Sequence, residues 1–402
     1  MSIRRNHPPG QLGDHLTALI MQTSVRASTI YPWQERETRL LASFAMHSID
    51  SLGRDQQEPQ HWYRSPYQRD RDRILHSAAF RRLSGKMQVF TGEMGDYHRT
   101  RLTHTQEVAS LARTIGRTLG LNEDLIEALA LLHDIGHPPY GHCGEDALDA
   151  CLKECGGFSH NRFALELVTR IEQRYTDYPG LNLTREVLSG QHYRSHKEDA
   201  GAPMLEIQVV DVADSIAYDA HDVDDALKLG LLDWDQLTGL ALVRRARMAV
   251  PLDRTDPDRR RQLLVHTLLD LQMSDFLQHT QRLLEPMRGF DALRVQQLGV
   301  RLGMTDGFAK EKEELERFLF ENVYRHPRLA QVREQAAQRL TELFEYLVDH
   351  PNQLPDRFQS WIHSHPLRQV VGVYLGGMTD RFCDEQYAAL MGQHVAQAAD
   401  WS

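Results

Sequence analysis

Apolar side chains recur with a helical period along most of the chain from about residue 36. The clearest segment is 103–120, where the spacing predicts one apolar face of an amphipathic helix. The residues of this face are Val108, Leu111, Ala112, Ile115 and Leu119. Thr103 and Gln106 form a capping-box pattern, and Gly120 is suited to the end of a helix. The pattern therefore predicts a helix that begins at Thr103.

Two further helices follow from the same period. One is predicted to begin after Asn122, a favourable N-cap, and to end before Gly136, because two prolines follow that glycine. The other covers about 203–229, between loops predicted near 189–203 and 251–257. Sustained alternation of apolar and polar residues, which is typical of strands, is absent. We therefore predict an all-α fold.

The length of the chain predicts more than one structural unit. A single hydrophobic core stops growing at roughly 250–300 residues, whereas this chain has 402. We expect an N-terminal arm with a first helix at 1–60, a core domain at 61–235, and an additional C-terminal helical lobe at 236–402.

Composition predicts a folded, soluble protein of the cytoplasm. The chain is 41% hydrophobic and 25% charged, which is typical of a folded soluble protein. It has no run of about 18 apolar residues, so we expect no membrane partner. Four cysteines are too few and too clustered for a disulfide framework, which favours the cytoplasm. A zinc site of Cys143, Cys151 and Cys155 with His142 or His160 is the less favoured interpretation, since no CxxC pair is present.

The distribution of charge and histidine points to one segment. A net charge of −10 excludes a chain that binds nucleic acid over its whole surface, although 64–101 is rich in arginine. The 21 histidines are informative only where they cluster with carboxylates. They do so in His133–Asp146, where three glycines and two prolines break any continuous helix. This segment is predicted to be a tight loop that carries chemistry.

Candidate polar groups also lie on the predicted helices. His104 lies four residues before Val108, and the helix dipole in the first turn favours its neutral imidazole, the form that a metal needs. The helix at 203–229 carries a row of polar side chains on one face. These are Asp211, Asp214, Tyr218, Asp222 and Asp225. A solvated face is one interpretation, and a site for a metal and a sugar is the other.

The order of these groups resembles a known family. His104, the pair His133-Asp134 29 residues further on, and Asp214, 80 residues after Asp134, resemble the H…HD…D pattern of HD-domain metal phosphohydrolases. The surrounding motifs resemble one branch, the deoxyguanosinetriphosphate triphosphohydrolase-like proteins. The matching segments are 69–83, 86–90, 99–108, 133–145, 158–161, 210–218, 221–225 and 374–381. The resemblance covers about 65–390 and implies an HD-domain helical core.

The resemblance implies one divalent metal ion per subunit. Its ligands would be His104, His133, Asp134 and Asp214. Such a mixed nitrogen and oxygen set suits Mn, Mg, Fe, Co, Ni or Zn, and ligand chemistry alone does not choose among them.

The resemblance also assigns roles in catalysis. His142 and Glu145 resemble a catalytic pair in which the histidine moves a proton and the glutamate orients it. His137 would lie beside the phosphates as a further donor. Arg101 would clamp phosphate oxygens, for which the guanidinium fork is suited.

Three residues are implied in recognition of the sugar. Tyr218 and Asp222 would contact the deoxyribose and exclude a 2′-hydroxyl, and Gln88 would reach the 3′-hydroxyl. Ser215 and Val373 depart from the pattern of the branch, where acidic residues are usual.

The implied function is metal-dependent hydrolysis of dGTP, or of dNTPs in general, to a deoxynucleoside and inorganic triphosphate. Two alternatives stay open: another HD-type nucleotide phosphomonoesterase or phosphodiesterase, and a non-catalytic nucleotide sensor or single-stranded nucleic-acid binder. The resemblance further implies a homo-oligomer such as a hexamer, with a nucleotide activator and single-stranded DNA as candidate partners.

Overall fold

The regular structure of the protein is helical throughout the described residues. The only extended pairings there are two isolated β-bridges, Met87 with Thr100 and Gln173 with Gly180. The prediction of an all-α fold is therefore confirmed. Residues 1–31, most of the predicted N-terminal arm, lie outside the described residues. The structure is a computed structural model, and it describes residues 32–89, 99–196, 201–252 and 256–392.

The helices fall into two successive groups along the chain. The first group is α1 (Trp33–Leu40), α2 (Pro66–Leu75), α3 (Ala78–Arg82), α4 (Arg101–Leu119), α5 (Glu123–Leu132), α6 (Gly141–Cys151), α7 (His160–Glu166), α8 (Arg185–Ser195) and α9 (Leu205–Lys228). The second group is α10 (Trp234–Leu237), α11 (Ala241–Ala249), α12 (Pro257–Leu284), α13 (Ala292–Gln297), α14 (Asp306–Leu319), α15 (Pro327–Asp349), α16 (Asp356–Trp361), α17 (Leu367–Gly376) and α18 (Asp380–Met391).

The start of α4 differs from the prediction. Thr100, not Thr103, is the N-cap: its hydroxyl accepts from the amide of Thr103 at 3.2 Å. The hydroxyl of Thr103 in turn accepts from the amide of Thr100 at 3.1 Å, which completes the capping box one turn earlier. Gly120 ends the helix with φ 70°, as expected. The earlier start places Arg101 and His104 together in the first turn.

The next two helices show one prediction confirmed and one corrected. The side chain of Asn122 accepts from the amide of Leu125 at 3.3 Å and caps α5, which ends at Leu132 as expected. The predicted loop near 189–203 is wrong in its first part, because α8 continues to Ser195. Its Gly190 is not a helix breaker: a Cβ there would lie 2.3 Å from Leu129 Cδ2, so the glycine permits close packing on α5.

Two hydrophobic cores stabilise the fold. The larger core combines residues between 44 and 217 with residues between 276 and 387. The smaller core lies between 223 and 329. Residues of the second helical group therefore pack into the same core as α4 and α5, and the predicted boundaries of the domains stay a prediction. Across the ranges that the structure covers, none of the helices has the length and apolar character needed to cross a bilayer.

Candidate active site

Three helices bring the predicted metal ligands together. His104 lies in the first turn of α4, His133 and Asp134 directly follow α5, and Asp214 lies within α9. The candidate ligand atoms of His104, His133 and Asp134 lie within 4.8 Å of one another. Asp214 Oδ1 lies 3.0 Å from His104 Nε2 and 3.6 Å from His133 Nε2. The four side chains therefore face one small volume.

The environment of His133 indicates that a cation fits this volume. Its Nδ1 lies 2.5 Å from the carbonyl of Ala130 and must donate there, because a carbonyl only accepts. The neutral ring then has a lone pair on Nε2, a buried atom with no hydrogen-bond partner among the described residues. One oxygen of Asp134 and one of Asp214 each lie 3.6 Å away. A buried lone pair between two carboxylates is unfavourable unless a positive ion pairs with all three groups.

The titration of the carboxylates supports this interpretation. Burial would raise the pKa of Asp134, but His133, His137 and Arg101 outweigh it and hold that pKa well below the usual value. Burial would also raise the pKa of Asp214, but His133, His104 and Arg194 outweigh it and lower that pKa below its usual value. Burial lowers the pKa of His133 and favours the neutral ring. Ionised carboxylates and neutral imidazoles are the forms that bind a metal. The prediction that its surroundings favour a neutral His104 is wrong for the metal-free protein: burial would lower the pKa of His104, but the hydrogen bond and charge of Asp214 raise it above the usual value.

Arg101 is tied to this centre. It is 2% exposed, and its Nη1 donates to Asp134 Oδ2 at 2.8 Å. Gly141, with φ 62°, leaves room for it, since a Cβ there would lie 3.0 Å from Arg101 Nη2. The predicted clamp on phosphate oxygens stays a prediction, and the observed partner is a proposed metal ligand.

A second imidazole–carboxylate cluster adjoins the first. His137 Nε2 lies 3.1 Å from Asp134 Oδ1, and the ring of His160 stacks on that of His137 at 3.9 Å. Glu145 accepts from His160 Nδ1 and from its backbone amide, each at 2.8 Å. His142 Nδ1 lies 3.4 Å from Glu145 Oε2. The structure therefore unites His137, His142 and Glu145, and it adds His160.

The charge state of Glu145 suits an orienting role. Burial would raise its pKa, but the hydrogen bonds from His142 and His160 prevail and hold the pKa far below the usual value. Glu145 is therefore an ionised acceptor shared by two histidines. The side chain of His142 is 62% exposed, whereas that of Glu145 is 16% exposed. His142 can thus meet a substrate from the open side of the site.

The predicted tight loop at His133–Asp146 is wrong in its last part, because α6 begins at Gly141 and contains His142 and Glu145. Close backbone packing holds the shorter loop that remains between α5 and α6. A Cβ at Gly136 would lie 2.0 Å from the carbonyl of His160, so only glycine lets α7 approach the loop. A Cβ at Gly144 would lie 1.9 Å from the carbonyl of Pro139. These contacts explain two of the glycines between the histidines, and they bring His160 against His137.

The second helical group also supports this loop. Buried Lys86 donates to the carbonyls of His137 and Gly376. Asp380, at the start of α18, accepts from the amides of Met87 and Tyr140, each at 2.9 Å. The motif near the C-terminus therefore stabilises the loop that carries the histidines.

The predicted sugar-binding residues lie along α9. The ring of Tyr218 stacks on Tyr324 at 5.8 Å, and the Tyr324 hydroxyl donates to Asp222. Asp222 is 2% exposed, and burial raises its pKa to about 7. The solvated-face interpretation is therefore wrong for this residue. Gln88 donates its backbone amide to the carbonyl of Arg99 at 3.0 Å, which places it beside the start of α4.

Several residues of the site were not predicted. His160 was considered only as a zinc partner of cysteines, yet within the described residues no cysteine belongs to a group that could hold a metal. The motif at 158–161 was the signal that could have identified it. Tyr324 had no local signal, since its contact with Asp222 joins residues 102 positions apart.

The arginine-rich segment is largely neutralised by carboxylates. The pairs are Arg64 and Arg71 with Asp72, Arg69 and Arg73 with Glu58, Arg99 with Asp225, and Arg101 with Asp134. A surface that binds nucleic acid needs cations free to meet phosphates. The pairing therefore weakens the alternative of a binder that uses residues 64–101.

Comparisons with known proteins agree with this geometry. The family model of the HD domain matches residues 101–219, a range that contains all four candidate metal ligands. A second model, the phosphohydrolase-associated domain, matches residues 302–389. That range contains Tyr324 and Asp380, which contact the site from the second helical group.

Full-length relatives are similar along most of the chain. A deoxyguanosinetriphosphate triphosphohydrolase-like protein of Geobacter metallireducens is 41% identical over 374 residues, covering 89% of this chain and 96% of the relative. This chain belongs to the deoxyguanosinetriphosphate triphosphohydrolase-like family. Family members from Geobacter sulfurreducens and Leptospira interrogans are 39% and 37% identical, over 87% and 89% of this chain and 94% and 97% of the relatives. Membership of this family and the HD domain support a metal-dependent phosphohydrolase.

Proposed function

We propose that this phosphohydrolase converts deoxynucleoside triphosphates, dGTP among them, to a deoxynucleoside and inorganic triphosphate. The observation that carries the proposal is the meeting of His104, His133, Asp134 and Asp214 at one point. A pair able to transfer a proton, His142 and Glu145, adjoins it through His137. The family names of the relatives refer to the same substrate class.

The four ligands would hold one divalent metal ion through the lone pairs on Nε2 of the two histidines and through the two carboxylates. Bound there, the ion would act as a Lewis acid on the α-phosphoryl group. The donor set is compatible with Mn, Mg, Fe, Co, Ni or Zn. Arg101 and His137 both contact Asp134 and so lie beside the position proposed for the phosphates. The guanidinium of Arg101 can neutralise phosphate oxygens there, whereas burial lowers the pKa of His137 and leaves it a neutral ring that can only form hydrogen bonds.

The second cluster would supply a proton to the leaving group. In the proposed step, water bonds to the α-phosphorus and releases a proton to the solvent, while the bond from phosphorus to the 5′-oxygen breaks. That oxygen must receive a proton as the deoxynucleoside leaves. His142 is exposed and is oriented by ionised Glu145, so it is the proposed proton donor. His160 shares Glu145 and stacks on His137, which keeps the cluster in place.

The sugar would bind along α9. Tyr218, with Asp222 behind it on the same helix, presents a ring whose other neighbour is Tyr324. A wall of two stacked rings leaves little room for a 2′-hydroxyl. Gln88 has a buried Oε1 without a partner among the described residues, so it has an acceptor free for the 3′-hydroxyl.

The remaining expectations rest on the resemblance alone. They are a homo-oligomer such as a hexamer and activation by a nucleotide or by single-stranded DNA. The expected cytoplasmic location rests instead on the four clustered cysteines of the sequence. The sensor alternative is less well supported, because its basic segment is paired with carboxylates.

The test is product analysis with purified protein and Mn²⁺ or Mg²⁺, using the four dNTPs singly and mixed, beside an Asp134→Ala variant. We expect a deoxynucleoside and intact triphosphate, both absent with the variant. Turnover in the mixture alone would indicate an activating nucleotide. Orthophosphate or diphosphate as the inorganic product would instead favour a phosphomonoesterase or a phosphodiesterase, and no turnover under any condition would favour the sensor.

A further inference from the structure

The two nitrogens of His104 have different surroundings. Nε2 faces the candidate metal ligands and lies 3.0 Å from Asp214 Oδ1. Nδ1 lies 3.3 Å from Nδ1 of His221, in α9. A neutral imidazole carries a hydrogen on one nitrogen and a lone pair on the other. The tautomer of His104 therefore decides whether Nε2 can bind a metal.

His221 is held from its opposite side. Its Nε2 lies 3.1 Å from Glu107 Oε2, and the residue is 5% exposed. An ionised carboxylate only accepts, so Nε2 of His221 must carry the hydrogen. Its Nδ1 is then an acceptor. His104 can then donate through Nδ1 to His221 and keep the lone pair on Nε2. In the opposite tautomer Nε2 would carry the hydrogen and donate to Asp214 Oδ1, so the acceptor on His221 is what favours the metal-binding form.

We propose that Glu107 and His221 are positioning residues that select the metal-binding tautomer of His104. The hydrogen bonds would run from His104 Nδ1 to His221 Nδ1, and from His221 Nε2 to Glu107. Partners of this kind fix ring orientation and tautomer in metal sites. The inference rests on the proposed function, which assigns His104 as a ligand.

Glu107 is itself fixed in place. Arg99 Nε donates to the same Glu107 Oε2 at 3.2 Å, and Arg99 Nη1 lies 2.9 Å from Asp225 Oδ2. The carboxylate is thus held by a cation that α9 also binds. This keeps Glu107 directed at His221, although 45% of its side chain is exposed.

The other histidine ligand does not need such a relay. Nδ1 of His133 donates to the carbonyl of Ala130, in the helix that His133 itself ends. Backbone geometry therefore sets the tautomer of His133, while side chains set that of His104. Substitution of His221 should affect the centre through one ligand only.

The experiment measures metal affinity rather than turnover. Metal-free protein is titrated with Mn²⁺ and with Co²⁺, the latter followed by its absorption spectrum, for wild type and for four variants. Asp134→Ala removes a ligand, His221→Leu removes the acceptor, and Glu107→Ala frees the tautomer of His221. His221→Asn is the matched control, because its amide oxygen can accept from His104 Nδ1.

We expect His221→Leu to weaken metal binding by about 10- to 100-fold. His221→Asn should recover most of this loss, and Glu107→Ala should weaken binding several-fold. Equal weakening by Leu and Asn would show a packing effect and overturn the inference, as would affinities for both His221→Leu and Glu107→Ala within twofold of wild type. If His221→Leu does not fold, Glu107→Ala decides in the same way.

The controls separate this inference from the proposed function. A wild-type protein that binds no divalent metal would contradict the metal centre itself, and the inference with it. A wild type that binds one ion, lost in Asp134→Ala but unaffected in His221→Leu and Glu107→Ala, would overturn only the tautomer relay.

Discussion

The two imidazole–carboxylate clusters of the site lie side by side but are built differently. The proposed metal-ligand cluster (His104, His133, Asp134 and Asp214) draws on three helices, and its first three residues are 1%, 2% and 6% exposed. In the second cluster (His137, His142, Glu145 and His160), 62% of the His142 side chain is exposed. His137 joins the two, through Asp134 on one side and His160 on the other. This difference is consistent with the proposed roles, because metal ligands need a fixed geometry before the ion binds, whereas a proton donor must reach the substrate.

The largest effect is expected in the metal-ligand cluster. Asp134→Ala removes a carboxylate that also orients Arg101 and His137. We expect kcat to fall by about 10³-fold or more, because several kcal/mol of charge stabilisation are lost. Metal content and turnover are measured on the same preparation. The matched control is Asp146→Ala, at an exposed acidic position on α6. Retention of metal by Asp134→Ala would contradict the assignment of Asp134 as a ligand.

Substitutions in the second cluster should lower the rate of the reaction without changing metal binding. His142→Ala is expected to lower kcat by about 10²-fold or more, the usual contribution of a positioned proton donor. Affinity for the metal should stay within about twofold of wild type. Turnover and metal titration separate these effects, and His160→Ala shows which histidine transfers the proton. A greater loss in His160→Ala than in His142→Ala would reassign the donor.

Two carboxylates of α9, Asp214 and Asp222, have pKa values shifted in opposite directions. Imidazoles and Arg194 lower the pKa of Asp214, whereas burial raises that of Asp222 to about 7. The unfolded carboxyl ionises near pH 4, so the Asp222 contribution to stability falls as pH rises from about 4 to 7. Asn does not titrate. From pH 4 to pH 8, the stability of Asp222→Asn relative to wild type should rise by about 4 kcal/mol in urea unfolding, because a rise in pKa of about three units corresponds to about 1.4 kcal/mol for each unit. A constant difference would contradict the shift.

The smallest effect is expected at the sugar wall. Tyr324→Phe keeps the stack on Tyr218 but removes the hydrogen bond to Asp222. Loss of one such bond corresponds to an increase of about three- to tenfold in KM for dNTPs, with kcat little changed. Steady-state kinetics with a dNTP and with its ribonucleotide counterpart measure KM and kcat. A loss confined to kcat would place this wall away from the sugar.

The sequence predicted what depends on local pattern. Helical periodicity identified α4, α5 and α9, and the ordered His and Asp residues identified four groups that meet in space. The start of α4 was misplaced because two threonines three residues apart, Thr100 and Thr103, offer similar caps. The loop near 189–203 was predicted to begin too early, because α8 continues to Ser195 and its Gly190 serves close packing against Leu129.

What the sequence did not predict depends on distant contacts. His221 meets His104 across 117 positions, and Asp380 supports the loop of Tyr140 across 240 positions. No periodicity or spacing rule connects such residues, since only the packing of α9 and α18 brings them together. His160 had a motif around it, but its partner Glu145 becomes apparent only once Gly136 allows α7 to approach the loop.

The most direct test of the central claim, attack on the α-phosphorus at this site, is hydrolysis of a dNTP in H₂¹⁸O by the metal-loaded protein. Mass spectrometry of the products locates the label. The account predicts intact triphosphate carrying one ¹⁸O and an unlabelled deoxynucleoside. Label in orthophosphate or in the deoxynucleoside would contradict it, because the attacked atom would then be a different phosphorus or the 5′-carbon.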